Sequence, residues 1–334
     1  TPEAIQAAAA TWLTEKNRTV GLLYPTAPSS GGEDGPSLAA LRSGLGGIGA
    51  PRLQPFERVD VEPGLVVLGQ AQPDDPVVHA RIRVQGGSAD DPGDKRGLGQ
   101  LAAFLTMRGS GKHTREQFEE ACDDLGASIG VSTGREHTEF TVTCLAADLE
   151  PALDLLAEAW SAPTYAEDQL NLARRESVAA IRQAEDNTQQ VADRLLRDQF
   201  YPDGHPLRHR PAGDEHDLAT IATTDLQHFH QAILTGRQIT AAVVGGYQAV
   251  DAVAELIATR FGGRGPISVR PEFDSPALLP GGPLTATLPG KEQADIALGL
   301  PVMPLGAEGW YALDVADTIL GQSGLMGRIG ESVR

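Results

Sequence analysis

Gly97-Leu-Gly-Gln-Leu-Ala-Ala-Phe-Leu-Thr-Met-Arg-Gly-Ser110 decides how this chain is read. The segment predicts a short helix, on which residues i, i+3 and i+4 project to one side. Gln100, Ala103 and Phe104 hold those positions. That side offers an amide, a methyl group and a phenyl ring where a metal-holding helix would offer imidazole and carboxylate. The spacing Gly97-x-Gly99-x-x-Ala102 imitates a dinucleotide fingerprint. It lacks the context, because the strand before it ends well upstream and no βαβ unit follows.

Outward from that helix the patterns alternate between two periods. Strands are predicted at 65–69 and 77–84 before it, and at 128–133 and 138–145 after a helix over 114–125. Helices follow over 149–160, 166–183 and 188–200, then a loop around 202–211 and a helix over 224–233. A strand over 238–245 and a helix over 250–261 close the series. Strands in runs and helices in runs make the fold α+β, with helices packed on one face of a mostly antiparallel sheet.

The flanks read differently. Residues 1–25 predict a helix and a strand, 26–55 and 265–289 are Gly/Pro-rich linkers, and 290–334 open with a strand over 294–300 and a helix over 309–320. Leu13-Thr14 followed by Arg18-Thr19 echoes Leu234-Thr235 followed by Ile239-Thr240. Each pair links an amphipathic helix to a strand, so residues 1–25 are expected to close a preceding copy of the domain over 56–264. Residues 290–334 are expected to begin the next copy, as in a piece cut from a longer polypeptide.

Composition narrows the function classes. The formal net charge is −18, which argues against nucleic acid or an anionic membrane surface as a partner. No run of about eighteen apolar residues offers a membrane span. Cys122 and Cys144 are the only cysteines, too few for a disulfide scaffold, and are read as buried thiols. His205, His209, His216, His228 and His230 cluster in sequence but are read as solvated or loop-pinning. No G-x-S-x-G nucleophile signature occurs.

Taken together, the motifs resemble the M16 zinc metallopeptidases, the group of pitrilysin, insulysin and the mitochondrial processing peptidase. Gly97 to Ser110 looks like the family's metal-site helix, G-L-A-H-F-L-E-H-M-x-x-x-G-T, and Thr114 to Ala127 like the helix after it. His205-Pro206 matches a loop signature, and Met326 to Arg334 resembles the opening of the next domain. The resemblance implies that the two histidine ligands fall on Gln100 and Phe104, and the water-activating glutamate on Ala103. The third ligand, a distant glutamate in E-R-x-x-V-x-x-E, falls on Ile181 within Arg174-Arg-Glu-Ser-Val-Ala-Ala-Ile181. No catalytic residue and no metal ligand is then expected in this chain. Phe104 and Ile181 are expected to fill the metal's place as a packed apolar plug.

What the resemblance implies about function is a non-catalytic half that walls a peptide-enclosing chamber. Zinc would sit in a catalytic M16 half, upstream in the same polypeptide or in a separate subunit, with a peptide as substrate. Arg334 falls on an arginine that in such halves polarises the scissile carbonyl. The alternative is a catalytically dead scaffold or assembly subunit of the same fold.

Overall fold

The computed structural model describes residues 56–264, 267–269, 273, 282–322 and 327–333, together with Gln6 and Ala10. The chain divides into two compact units, 1–53 and 54–334. The helix and strand expected over 1–25 and the linker 26–55 lie outside the described residues, and the linker 265–289 is described only in part.

The second unit is built on a six-stranded sheet ordered β1-β2-β6-β3-β5-β4. Its strands are β1 (Glu57–Glu62), β2 (Leu65–Ala71), β3 (Val77–Gln85), β4 (Ser128–Thr133), β5 (His137–Leu145) and β6 (Ile239–Gly245). Only β2 and β6 run parallel, from Leu65 opposite Ile239 to Ala71 opposite Gly245. The other pairs are antiparallel. On β3 the alternation is strict: Val78, Ala80, Ile82 and Val84 are buried while His79, Arg81 and Arg83 are exposed. One face of the sheet is therefore apolar and must be covered.

Helices α1 (Leu98–Thr106), α2 (Arg115–Asp124), α3 (Leu149–Ser161), α4 (Glu167–Glu185) and α5 (Thr188–Phe200) follow in chain order. After them come α6 (Glu215–Thr220), α7 (Thr223–Phe229), a wider turn over His230–Leu234, and α8 (Val250–Phe261). Leu153, Leu156 and Trp160 of α3 and Val253, Ile257 and Phe261 of α8 bury against the apolar sheet face. Trp160 and Phe261 meet with ring centroids 5.2 Å apart. Each such side chain, taken wholly out of water, is worth about 1.5–3 kcal/mol, which makes this the larger of the two main cores.

The smaller core decides where α1 lies. Leu98, Leu101, Ala103 and Leu105 of α1 pack with Leu170, Ala173 and Ile181 of α4 and with Leu218, Leu226 and Phe229. The glycines that imitate a nucleotide motif serve this packing. Gly97 has φ +98°, and a Cβ there would lie 2.8 Å from the Ala212 carbonyl oxygen. Gly97 and Gly99 each donate a backbone N–H to the Asp91 carboxylate at 2.7 Å, so a side chain caps the entry of α1.

The α+β architecture and its helix-covered, mostly antiparallel sheet are as expected. Cys122 and Cys144 are free and buried. Two elements escaped the sequence reading: β1, in which Val59 and Val61 alternate with charged residues, and α6, six residues capped by Asp214. The strand expected over 294–300 is not formed. That stretch pairs with no strand among the described residues, and its alternating Ile296, Leu298 and Leu300 are exposed. A strand exists only with a partner ladder, and periodicity does not supply one. Helices do follow, α9 (Trp310–Asp317) and α10 (Arg328–Val333). Among the described residues no helix is long and apolar enough to cross a membrane.

Burial raises the Asp91 carboxyl to about 7, against the lowering pull of its Gly97 and Gly99 hydrogen bonds. The folded state thus keeps a proton that the unfolded chain, near 3.9, releases. From pH 4 to 7 the unfolded state binds fewer protons, so this residue's contribution to stability falls as pH rises. Asp91→Asn cannot titrate and costs about 1 kcal/mol of capping at acidic pH. Urea unfolding of both proteins at pH 4.5 and 7.5 is expected to show the gap narrowing at the higher pH. A widening gap would mean that the two N–H donors hold Asp91 ionised.

Candidate functional site

The face formed by Gln100, Ala103 and Phe104 is split by the packing of α1. Gln100 and Phe104, one turn apart, line an open cavity of about 410 Å³, whereas Ala103 is turned away and buried. Residues 103 and 104 differ by about 100° on the helical wheel, enough to place one in the core and the other in the cavity. The opposite wall comes from Glu176, Ser177 and Ala180 of α4, and the floor from Val131, Ser132 and Thr133 of β4.

The same division runs along α4. Ile181 is 2 % exposed and belongs to the apolar cluster that holds Ala103. Its neighbour Ala180 is the residue that shares the cavity with Gln100 and Phe104. The expected apolar plug is therefore not what forms. Phe104 is 37 % exposed, and no ring fills the space between the helices. A cation holds it instead: the Arg108 guanidinium lies 4.2 Å over the Phe104 ring centroid. Arg108 also donates through Nη2 to Glu176 Oε2 at 2.7 Å, joining the end of α1 to α4.

These residues do not fit zinc. The cavity offers an amide, hydroxyls and one carboxylate, and that carboxylate is already paired with Arg108. Zinc favours imidazole, thiolate and free carboxylate, four-coordinate in all. Among the described residues no three His, Cys, Asp or Glu side chains converge to hold a metal.

The remaining motif residues hold structure. His205 is buried, its ring stacked on Tyr201 at 4.6 Å, and its Nδ1 accepts the Leu207 N–H at 3.1 Å. His230, read as solvated or loop-pinning, is buried instead, with Nε2 on the Trp160 carbonyl at 2.6 Å; burial pushes its pKa down. Arg334 lies outside the described residues.

Sequence reasoning missed Ala180 and Glu176 as cavity residues, and Arg108 as the partner of Phe104 and Glu176. No local signal separates residue 180 from the core: it stands two turns after Ala173, on nearly the same side of α4 as the buried Leu170, Ala173 and Ile181.

The second unit is thus an α+β domain with a helix pair over an open cavity, beside a β4 edge that has no partner strand among the described residues. Two family models match it: insulinase (peptidase family M16) over residues 66–209, and the peptidase M16 inactive domain over residues 220–332. The chain belongs to the M16 peptidase family. It is 27% identical over 251 residues to an uncharacterized zinc protease of Mycobacterium leprae, covering 74% of this chain and 56% of that one. With the uncharacterized zinc protease YmxG of Bacillus subtilis it shares 23% identity over 253 residues, 74% of this chain and 59% of that one. The chain thus spans little more than half the length of these relatives. Among solved structures, a peptidase M16 inactive domain from Pseudomonas fluorescens has a TM-score of 0.71 at 21% identity, covering 84% of this chain and 68% of that one. Pitrilysin has a TM-score of 0.58 at 22% identity over 68% of this chain and 25% of its own. At such identity the structures speak for the fold.

The assignment of residue 180 to the cavity makes a direct prediction. Gln100→His and Phe104→His combined with Ala180→Glu are expected to create a site that takes up one zinc per chain. The same histidines with Ile181→Glu are expected to take up none and to lose several kcal/mol of stability, because that carboxylate would be buried unpaired. Metal analysis after dialysis and urea unfolding distinguish the two; stoichiometric zinc in the Ile181 variant alone would reverse the assignment.

Proposed function

We propose that this chain is the non-catalytic half of an M16-like zinc metalloendopeptidase and walls a chamber that encloses a peptide. Zinc belongs to a catalytic M16 half, either in the same polypeptide or in a separate subunit. The observation that carries the reading is the cavity beside α1. Its lining cannot hold zinc, yet it stays open and is floored by β4. In the sheet order β4 is terminal, so one of its edges has no partner strand among the described residues. Such an edge presents N–H and C=O groups that an extended peptide can pair with. The cavity next to it accepts side chains without cutting the chain. Arg334 is assigned the second role, a cation donated to the partner's active site, where it stabilises charge developing on the scissile carbonyl oxygen.

The test combines this chain with an M16 protein from the same source that carries an intact H-x-x-E-H. The chain alone is expected to cleave nothing and to copurify without zinc. Added to the catalytic half, it is expected to raise turnover of a long unfolded peptide. Arg334→Ala is expected to lower kcat about 10²-fold with little change in KM. A complex that forms with turnover unchanged by the chain would favour the scaffold role instead.

A further inference from the structure

Beyond the cavity lined by Ala180, α4 carries a second one. Ala184, one helical turn on, lines a space of about 370 Å³ enclosed by α5 and the loop that runs to Asp214. Its walls hold two more guanidinium groups than carboxylates, in a chain whose net charge is −18. Most of these cations are committed. Arg210 is paired with Glu185 at 2.8 Å and Arg96 with Asp214 at 3.1 Å, while Arg208 and Arg194 share Asp198 at 3.0 and 3.8 Å.

Arg135 and Arg197 are not committed. Arg135 donates its Nε to the carbonyl oxygens of Leu207 and His209, both at 3.1 Å, which points the guanidinium and leaves its two terminal nitrogens free. Among the described residues neither arginine has a carboxylate within 4.0 Å. Burial and then the nearby Arg197 pull Arg135 down to about 10, so it remains a cation at neutral pH without a counter-charge. One lining carboxylate, Asp193, is likewise unpaired among the described residues, which still leaves two free guanidiniums against one free carboxylate. Partly buried, uncompensated like charges are costly, and an anion that bridges them relieves the cost. Guanidinium forks match the paired oxygens of phosphoryl and carboxylate groups.

We propose that this cavity binds a polyvalent oxyanion, received by the free guanidinium nitrogens of Arg135 and Arg197. The volume suits a small molecule with two anionic groups rather than a single ion. The site needs no catalytic partner, so it is measured on this chain alone, and its result is independent of the chamber reading.

Isothermal titration and thermal unfolding with pyrophosphate and with citrate, against potassium chloride at equal ionic strength, test it. Saturable binding of at least one of the two is expected, and which one binds tells phosphoryl from polycarboxylate. Arg197 makes no side-chain bond that the fold uses, so Arg197→Gln is expected to fold normally and to weaken binding at least tenfold. Arg197→Lys is expected to lose less, and Arg135→Gln to weaken binding to a similar degree. No saturable response beyond the chloride control, or affinity unchanged in Arg197→Gln, would overturn the proposal.

Discussion

The contact between α1 and α4 sets the phase of everything around it. Leu101, Ala103 and Leu105 meet Leu170, Ala173 and Ile181 in a cluster from which water is excluded. Leu170 and Ala173 are wholly buried, and Ala103 and Ile181 nearly so. Small residues at 103 and 173 let the two helices approach, and the large ones fill what remains. Once that stripe is buried, rotation of either helix is no longer free. Gln100 and Phe104 then have to face the cavity, and so does Ala180. A large-to-small change in the buried stripe would leave a cavity there, because packed surroundings relax only in part.

Charge is organised around this apolar frame and not within it. Glu139 takes both Arg81 and Arg83 on the open face of the sheet, at 3.5 and 3.0 Å. Exposed pairs of this kind contribute at most about 1 kcal/mol each. The arginines that matter more are tied to backbone. Arg174 donates to the carbonyl oxygens of Leu218 and Ile221 at 2.9 and 2.8 Å, fastening α4 to the C-terminal end of α6. Arg135 and Arg264 are held in the same manner. Carbonyl oxygens fix the direction of a guanidinium without neutralising it. That is why an acidic chain can hold a locally cationic cavity.

The fold was largely legible in the sequence because its strands and helices announce themselves by period. The strand over Ser128–Thr133 and the helices over Thr188–Phe200 and Val250–Phe261 coincide with the pattern that predicts them. β1 was hidden because Val59 and Val61 are only partly covered at the sheet's edge, and charged residues sit between them. The site was legible in part. Spacing within α1 places Gln100 and Phe104 on one face, but says nothing of where α4 stands across from it. A one-residue difference on α4, Ala180 against Ile181, exchanges a cavity wall for a core residue. The ion pair of Arg108 with Glu176 spans 68 positions, a separation at which local pattern carries no information.

The openness of the first cavity bears on what the site is for. Packing alone would favour burying Phe104, since covering an aromatic ring gains more than leaving it over a third exposed. The structure holds it at the surface under Arg108, and that contact is worth about 0.5–2 kcal/mol. Arg108 is in turn oriented by Glu176, which would otherwise stand as a free carboxylate in the space. Phe104 and Glu176 line a recess beside the edge of β4 that has no partner strand among the described residues. Its lining carries no imidazole or thiol, and its one carboxylate is paired with Arg108.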